Sequence, residues 1–119
     1  MTAQESAHGL LAAERADTLA RLTGLEREYA GIVDSVSANT DDEHDPEGAT
    51  IAFEREHAAA LISQARQHLA QIDAAMGRLA DGGYGRCETC GQPIGAERLA
   101  ARPTTTTCIR CASRGERSR

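Results

Sequence analysis

The most informative segment of this 119-residue chain is CETCGQPIGAERLAARPTTTTCIRC, residues 87–111. Its four cysteines form two C-x2-C pairs, and 17 residues separate Cys90 from Cys108. This spacing is typical of a tetrahedral zinc site, because each short turn directs two sulfurs at one ion and the longer segment brings the second pair back to it. We therefore predict one structural zinc ion bound by four thiolates, those of Cys87, Cys90, Cys108 and Cys111.

Two other uses of the cysteines remain open. Two disulfides would require an oxidising compartment, but the N-terminal stretch MTAQESAHGL has neither the basic region nor the apolar region of a secretory signal. A thiol oxidoreductase or redox sensor would need only Cys87 and Cys90, and we would expect it beside a βαβ pattern, which the sequence lacks. No apolar run approaches the ~18 residues of a membrane span. We expect a cytoplasmic protein with no membrane partner.

The composition indicates helices and a small core. The chain has three aromatic residues, no Trp and no Lys, so its 13 basic residues are all Arg. Apolar residues make up 40% of the chain and charged residues 26%, and the apolar ones are mostly Ala and Leu, which favours a mainly α fold over a sandwich or barrel. A small chain with so few aromatics usually needs a metal, disulfides or oligomerisation for stability.

Two segments have the apolar repeat of long helices. In the first, about residues 4–37, the stripe consists of Leu11, Leu22, Leu25, Tyr29, Ile32 and Val36. In the second, about residues 49–80, the steps of four and three are those of heptads, and the stripe consists of Ile51, Ala58, Ile62, Ala65, Leu69, Ile72, Met76 and Leu79. Asp81-Gly82-Gly83 then predicts the end of the second helix.

A polar loop is predicted between the helices, at residues 38–48. It contains Pro46, Gly48 and five carboxylates, those of Asp41, Asp42, Glu43, Asp45 and Glu47. Two heptad helices joined by one loop predict an antiparallel two-helix coiled-coil hairpin, whose arms of about 25–30 residues are roughly 40 Å long. Matching the stripes across the loop pairs Leu11 with Met76, Leu22 with Ala65, Leu25 with Ile62, Tyr29 with Ala58 and Val36 with Ile51. The acidic loop forms the tip of this hairpin, although such loops often serve only solubility.

Three regions follow from this pattern: a hairpin at residues 1–83, a four-cysteine zinc finger at 84–113 and a tail at 114–119. Residues 1–86 hold 15 acidic and 7 basic residues, a net charge of −8, whereas residues 87–119 have a net charge of +3. This balance is poor for binding DNA through its phosphates. An alternative function nevertheless stays open, a module that binds nucleic acid through its arginine-rich C-terminus: Arg98, Arg102, Arg110, Arg114, Arg117 and Arg119.

Three motifs together resemble the DksA/TraR family of four-cysteine zinc-finger proteins: YGRCETCGQPI at residues 84–94, RLAARP at 98–103 and CIRC at 108–111. The acidic hairpin before the finger fits the same family, and the resemblance covers about residues 41–113. It implies a bacterial transcription regulator that binds RNA polymerase directly, without binding DNA. It further implies that the hairpin enters the secondary channel of the polymerase, with the acidic tip near the catalytic Mg²⁺ and the finger at the channel rim.

The family's tip motif, Asp-x-x-Asp-x-Ala, can be carried onto this chain by counting back from the first cysteine without gaps. Its three positions then fall on His44, Glu47 and Ala49, and Asp45 is a nearby substitute carboxylate. His44 departs from the family pattern. These four residues are the expected polymerase contacts of the tip.

Basic residues of the finger are the expected rim or nucleotide contacts. Arg98 and Arg102 could contact an acidic polymerase rim, and Arg102 also matches one basic residue with which some longer relatives bind guanosine tetraphosphate. Gln71 and Ala112 stand where two lysines of that nucleotide site would be. We expect the C-terminal helix of longer relatives to be absent or only a stub.

The carboxylates of the tip are not a catalytic site by themselves. A loop with no pocket around it does not hold its acids in a fixed geometry, so we expect no enzymatic activity. We expect a monomer, although heptad helices can also pair between chains, which leaves a dimer open.

Overall fold

A computed structural model describes residues 2–38 and 46–117 of the chain, with side chains for residues 2–35 and 49–115. This part of the chain forms four helices: α1 (Ala3–Ala38), α2 (Pro46–Asp81), α3 (Ala96–Ala101) and α4 (Ile109–Arg117). The described residues contain no β-strand, only an isolated antiparallel bridge between Arg86 and Pro93. The predicted fold class is confirmed, since α1 and α2 form an antiparallel coiled-coil hairpin and the four cysteines cluster in a small C-terminal finger.

The ends of the two long helices have recognisable stop and start signals. At the start of α1, the N–H of Glu5 donates to the Thr2 hydroxyl and the N–H of Thr2 donates to the Glu5 carboxylate, both at 3.1 Å. This reciprocal pair is a capping box, which satisfies donors that the first helical turn leaves free. At the end of α2, Gly82 has a φ of +87° and the N–H of Gly83 donates to the Arg78 carbonyl at 2.9 Å, which closes the helix.

The helix boundaries lie close to the predicted ones, with one informative difference. α1 was expected over residues 4–37 and α2 over 49–80, but α2 begins three residues earlier, at Pro46. Proline fits the first position of a helix because its fixed φ is helical and its missing N–H would have no partner there. The boundaries of the three predicted regions stay a prediction, because contacts divide the chain differently, into the two compact units Met1–Arg15 with Ala70–Arg119, and Ala16–Leu69.

The first unit, Met1–Arg15 with Ala70–Arg119, contains the start of α1 and the end of α2. Its core consists of Leu11, Ile72, Ala75 and Leu79, with Ala7, Met76 and Tyr84 packed against it. Leu11 and Met76 therefore share one cluster, as the predicted register requires. The Arg15 guanidinium also lies 2.7 Å from the Asp73 carboxylate across the same pair of helices. Ala75 is fully buried although the predicted stripe did not include it.

The second unit, Ala16–Leu69, contains the rest of both long helices. Thr18, Ala58, Ile62 and Ala65 are buried there, and the predicted stripe of α1 is half-buried at Leu22, Leu25, Tyr29 and Ile32. An ion pair joins Arg66 to Glu26 at 3.2 Å. The heptad positions of α2 thus face the seam between α1 and α2, as predicted. The individual pairs proposed for this unit stay predictions, and Val36 lies outside the described side chains.

None of the helices in the described ranges is long and apolar enough to span a membrane.

Candidate metal centre

The first cysteine pair lies on a tight turn that follows α2. The chain doubles back on itself through two backbone hydrogen bonds, from the N–H of Ile94 to the Gly85 carbonyl and from the N–H of Cys87 to the Gln92 carbonyl, both 2.8 Å. Inside this turn the N–H of Gly91 donates to the Cys87 carbonyl at 2.9 Å, and Gly91 has a φ of +77°. A residue with a Cβ is strained at such a φ, so the glycine after Cys90 is required by the turn.

The second pair lies at the start of α4. Cys108 immediately precedes the helix, Cys111 is its third residue, and the N–H of Ala112 donates to the Cys108 carbonyl at 3.0 Å. A separation of three residues brings both sulfurs to one side of the first helical turn. The free N–H groups of that turn also favour thiolates over thiols.

The two pairs meet at one point. The four sulfurs all lie within 4.8 Å of one another, and the sulfurs of Cys90 and Cys108 are 3.8 Å apart. Four thiolates at about 2.3 Å from a zinc ion form a tetrahedron whose edges are about 3.8 Å. A disulfide would need about 2.05 Å between two sulfurs, and all four cysteines are free thiols. The predicted convergence of the cysteines is confirmed, and the donor set and spacing fit one structural zinc ion.

An apolar shell covers one side of the site. Cys87 and Cys111 are buried together with Ile94, and Leu99 and Cys108 pack against them. Cys90 is exposed on the other side. The site is therefore closed by packing around three ligands and reaches solvent at the fourth, an arrangement suited to a permanently held structural ion.

The protein environment shifts the pKa values of three of the four thiols, and not all in the same direction. Backbone N–H groups, first of Cys108 and then of Cys90, lower the pKa of Cys87 to about 6, and the N–H of Cys111 lowers the pKa of Cys108. Burial, with a smaller effect of the neighbouring sulfurs, raises the pKa of Cys111 to about 12. At neutral pH the thiolate of Cys87 is present before the metal arrives, whereas Cys111 loses its proton only when the cation binds.

The two arginines expected at a binding surface differ in their surroundings. Arg98 is half-buried, and its guanidinium donates to the Thr107 carbonyl at 2.8 Å and to the Thr105 hydroxyl at 3.4 Å. Arg102 is exposed. Sequence reasoning did not identify the internal role of Arg98, because its acceptors are a carbonyl and a hydroxyl whose positions depend on the conformation of the loop at residues 103–107.

The tip residues are mostly outside the structural description. His44 and Asp45 lie outside the described residues, and of Glu47 only the backbone is described, within the first turn of α2. Ala49 is exposed on α2. The predicted tip contacts therefore stay predictions. Gln71 is exposed and Ala112 is half-buried, and neither carries a positive charge.

Comparison with known families and proteins agrees with this site. A family model described as the prokaryotic dksA/traR C4-type zinc finger matches residues 82–117. The RNA polymerase-binding transcription factor DksA of Caulobacter vibrioides is 34% identical over 106 residues, which are 87% of this chain and 64% of the relative. The protein of the same name from Escherichia coli is 39% identical over 51 residues, 43% of this chain and 34% of the relative. The chain thus spans less than two thirds of the length of these relatives.

One solved structure covers nearly the whole chain. The structure of transcription factor DksA2 from Pseudomonas aeruginosa superimposes with a TM-score of 0.82 at 31% sequence identity, over 97% of this chain and 84% of that chain. The similarity therefore includes the helical hairpin as well as the finger.

Proposed function

Because the chain belongs to the DksA/TraR family of four-cysteine zinc-finger proteins, we propose that it is a transcription factor that binds bacterial RNA polymerase. The observation that carries this proposal is the match to DksA2 over 97% of the chain. The Caulobacter relative, 34% identical, is named for binding RNA polymerase. The protein acts in the bacterial cytoplasm by binding the polymerase and altering its behaviour, not by catalysing a reaction of its own.

The hairpin enters the secondary channel of the polymerase, tip first. This part of the proposal is supported by the charge of the chain, since five carboxylates lie in residues 38–48 and the net charge of residues 1–86 is −8. Acids delivered near a catalytic Mg²⁺ change the electrostatic potential at that ion and at the mobile elements around it. The consequence is a shift in the stability of the open promoter complex. His44, Asp45, Glu47 and Ala49 are the proposed tip contacts.

The finger contacts the rim of the channel and leaves DNA uncontacted. Arg102 is exposed and is the more available of the two proposed rim arginines. Arg98 already donates to two groups of its own finger. With one of the finger's few cations used internally, the surface left for phosphates is small, which favours a protein partner over nucleic acid.

The proposal is tested by binding and transcription assays on the full chain with purified bacterial core polymerase and holoenzyme. The Asp45→Ala/Glu47→Ala variant is compared with the wild type, and Asp17→Ala/Glu28→Ala, which removes two exposed acids from α1, is the matched control. We expect all three proteins to bind the polymerase and only the tip variant to lose the effect on open complexes. Failure of the wild type to bind contradicts the proposed partner. Equal transcriptional effects of the wild type and the tip variant contradict the proposed role of the tip.

The same preparation distinguishes the nucleic-acid alternative. A module that binds through its arginines would shift DNA or RNA in a gel at low salt and lose that shift as salt increases. We expect no such shift under conditions in which the protein binds polymerase.

A further inference from the structure

The loop at residues 103–107, here called the strap, connects α3 to Cys108. Its sequence is Pro-Thr-Thr-Thr-Thr, and it contains neither helix nor strand. Because the second cysteine pair follows directly, the path of the strap determines where Cys108 and Cys111 meet the first pair. A loop without regular structure can hold such a position only if other groups satisfy its backbone.

The strap is held almost entirely by hydrogen bonds from outside it. The Tyr84 hydroxyl donates to the Pro103 carbonyl at 2.8 Å, and the Arg78 guanidinium approaches the Thr104 carbonyl at 3.5 Å. The N–H of Glu88, inside the first cysteine turn, donates to the Thr106 carbonyl at 2.9 Å. The last carbonyl, that of Thr107, accepts from Arg98 at 2.8 Å.

Arg98 donates a hydrogen bond to the peptide unit that precedes Cys108. The Thr107 carbonyl and the N–H of Cys108 belong to the same rigid peptide plane. Its carbonyl side accepts the charged donor of Arg98, and its N–H side faces the sulfur of Cys87. A charge-assisted hydrogen bond at the carbonyl fixes the plane and polarises it, so the N–H side becomes a better donor.

A second contact limits the freedom of the same guanidinium. Arg98 also donates to the Thr105 hydroxyl at 3.4 Å, and that hydroxyl in turn donates to the Thr107 carbonyl at 3.2 Å. The three groups form a closed triangle over the end of the strap. Arg102, four residues further along, leaves its side chain exposed.

We propose that Arg98 is a positioning residue of the zinc centre, which orients the peptide between Thr107 and Cys108 and so holds the second cysteine pair at the spacing that one ion requires. It does not bind the ion itself. This inference is independent of polymerase binding, because it concerns only how the chain holds its own metal. Groups that orient metal ligands typically contribute about 10–100-fold in metal affinity.

The test is zinc affinity and the rate of zinc release, measured on the full chain with a chromophoric chelator as competitor. Arg98→Ala is expected to bind zinc about 10–100-fold more weakly and to release it faster. Arg102→Ala removes the same charge from the same helix region and is expected to match the wild type in zinc affinity and in the rate of zinc release. Arg98→Lys keeps the charge but replaces the planar fork with a single ammonium group, so its affinity is expected to lie between those of the wild type and Arg98→Ala.

A spectroscopic measurement separates positioning from general loosening of the finger. In the Co²⁺-loaded protein, Arg98→Ala is expected to retain the absorption of a tetrahedral four-thiolate site, since all four ligands remain. If circular dichroism shows loss of helix in Arg98→Ala, Arg98→Met replaces it, because methionine keeps an apolar stem of similar length without any donor. A variant that binds zinc within twofold of the wild type, or an equal loss in Arg102→Ala, overturns the proposal.

Discussion

The seam between the helices in Ala16–Leu69 and the metal centre at residues 84–111 are both small, but they are stabilised by different means. In the seam, the buried positions of α2 are Ala58, Ile62 and Ala65, and most of the facing stripe on α1 is half-buried. Each side chain there removes only a modest apolar area from water, so each contributes a small share of the free energy of folding. In the metal centre, four ligands meet at one point, and we expect the loss of any one of them to abolish stoichiometric zinc binding.

Together, the two regions explain how a chain with three aromatics remains folded. A long, narrow seam tolerates many conservative changes because no single contact dominates it. The finger tolerates few, since its turns need Gly85 and Gly91 at positive φ and its strap needs donors from Tyr84 and Arg98. Substitutions should therefore have all-or-none effects in the finger and graded effects along the hairpin.

The largest expected effect is that of removing one zinc ligand. Cys111→Ser is expected to lose stoichiometric zinc and with it about 10 kcal/mol or more of metal-binding free energy, which is folding free energy for the finger. Neither long helix contains a ligand, so most of the helical circular dichroism should remain. Thr89→Ser, a change within the first cysteine turn that keeps all ligands, is the control. One tightly bound zinc per chain in Cys111→Ser, measured by metal analysis, would contradict the account.

The next effect concerns the core of the unit that carries the finger. Leu11 is 0% exposed, whereas its neighbour Leu10 is 46% exposed. Leu11→Ala should lower the free energy of unfolding by about 2–5 kcal/mol, because it leaves a cavity among Ile72, Ala75 and Leu79. Leu10→Ala should cost far less, and chemical denaturation measures both. Equal losses in the two variants would contradict the burial of Leu11 in the core with Ile72, Ala75 and Leu79.

A plot of zinc affinity against pH is expected to become steeper below about pH 6. In the metal-free site Cys111 is protonated at every pH below about 12, so zinc must displace its proton throughout the accessible range. Hydrogen bonds to backbone N–H groups hold the pKa of Cys87 at about 6. Zinc must therefore displace a proton from Cys87 as well only below that pH. Zinc affinity should fall as the pH falls, by about tenfold per pH unit for each proton displaced, and more steeply below about pH 6.

Competition with a chelator between pH 5 and pH 8 measures this slope, with ionic strength held constant. A constant slope across pH 6 would show that Cys87 has no special environment. Substitution of a ligand cannot serve as the control here, so the chelator's own pH dependence is determined separately and subtracted.

The smallest expected effect belongs to the ion pairs across the hairpin. Arg15 and Asp73 are 2.7 Å apart, but both side chains are about half exposed, so solvent screens their attraction. Arg15→Ala should change the free energy of unfolding by less than about 1 kcal/mol, and the difference should shrink in high salt. The swapped pair Arg15→Asp/Asp73→Arg is the control for charge alone. A loss comparable to that of Leu11→Ala would show that the pair, not the apolar seam, sets the register.

Periodicity and spacing made the main features predictable from sequence. The heptad steps along α2 predicted the face that is buried, and two C-x2-C pairs predicted which four sulfurs converge. Both patterns are local or strictly repeated, so they can be recognised without knowledge of the rest of the fold. The start of α2 at Pro46 was missed because the same residue is common in loops and at first helical positions.

The remaining features depend on the tertiary structure. α3, with six residues, is too short for its apolar repeat to be recognised, and α4 carries three arginines and two polar residues in nine positions. The role of Arg98 depends on the Thr105 hydroxyl and the Thr107 carbonyl, seven and nine residues away, whose positions are set by the strap. The hydroxyl of Tyr84 likewise has its acceptor 19 residues later in the chain.

The most direct test of the proposed function is to locate the hairpin on the polymerase. A photo-crosslinking amino acid at Ala49, which is exposed near the start of α2, is compared with one at Ala100, which is exposed on α3. We expect position 49 to crosslink to polymerase residues that line the secondary channel, and position 100 to react, if at all, at the channel rim. Crosslinks from position 49 that map only to the outer surface of a polymerase-bound protein would contradict the account.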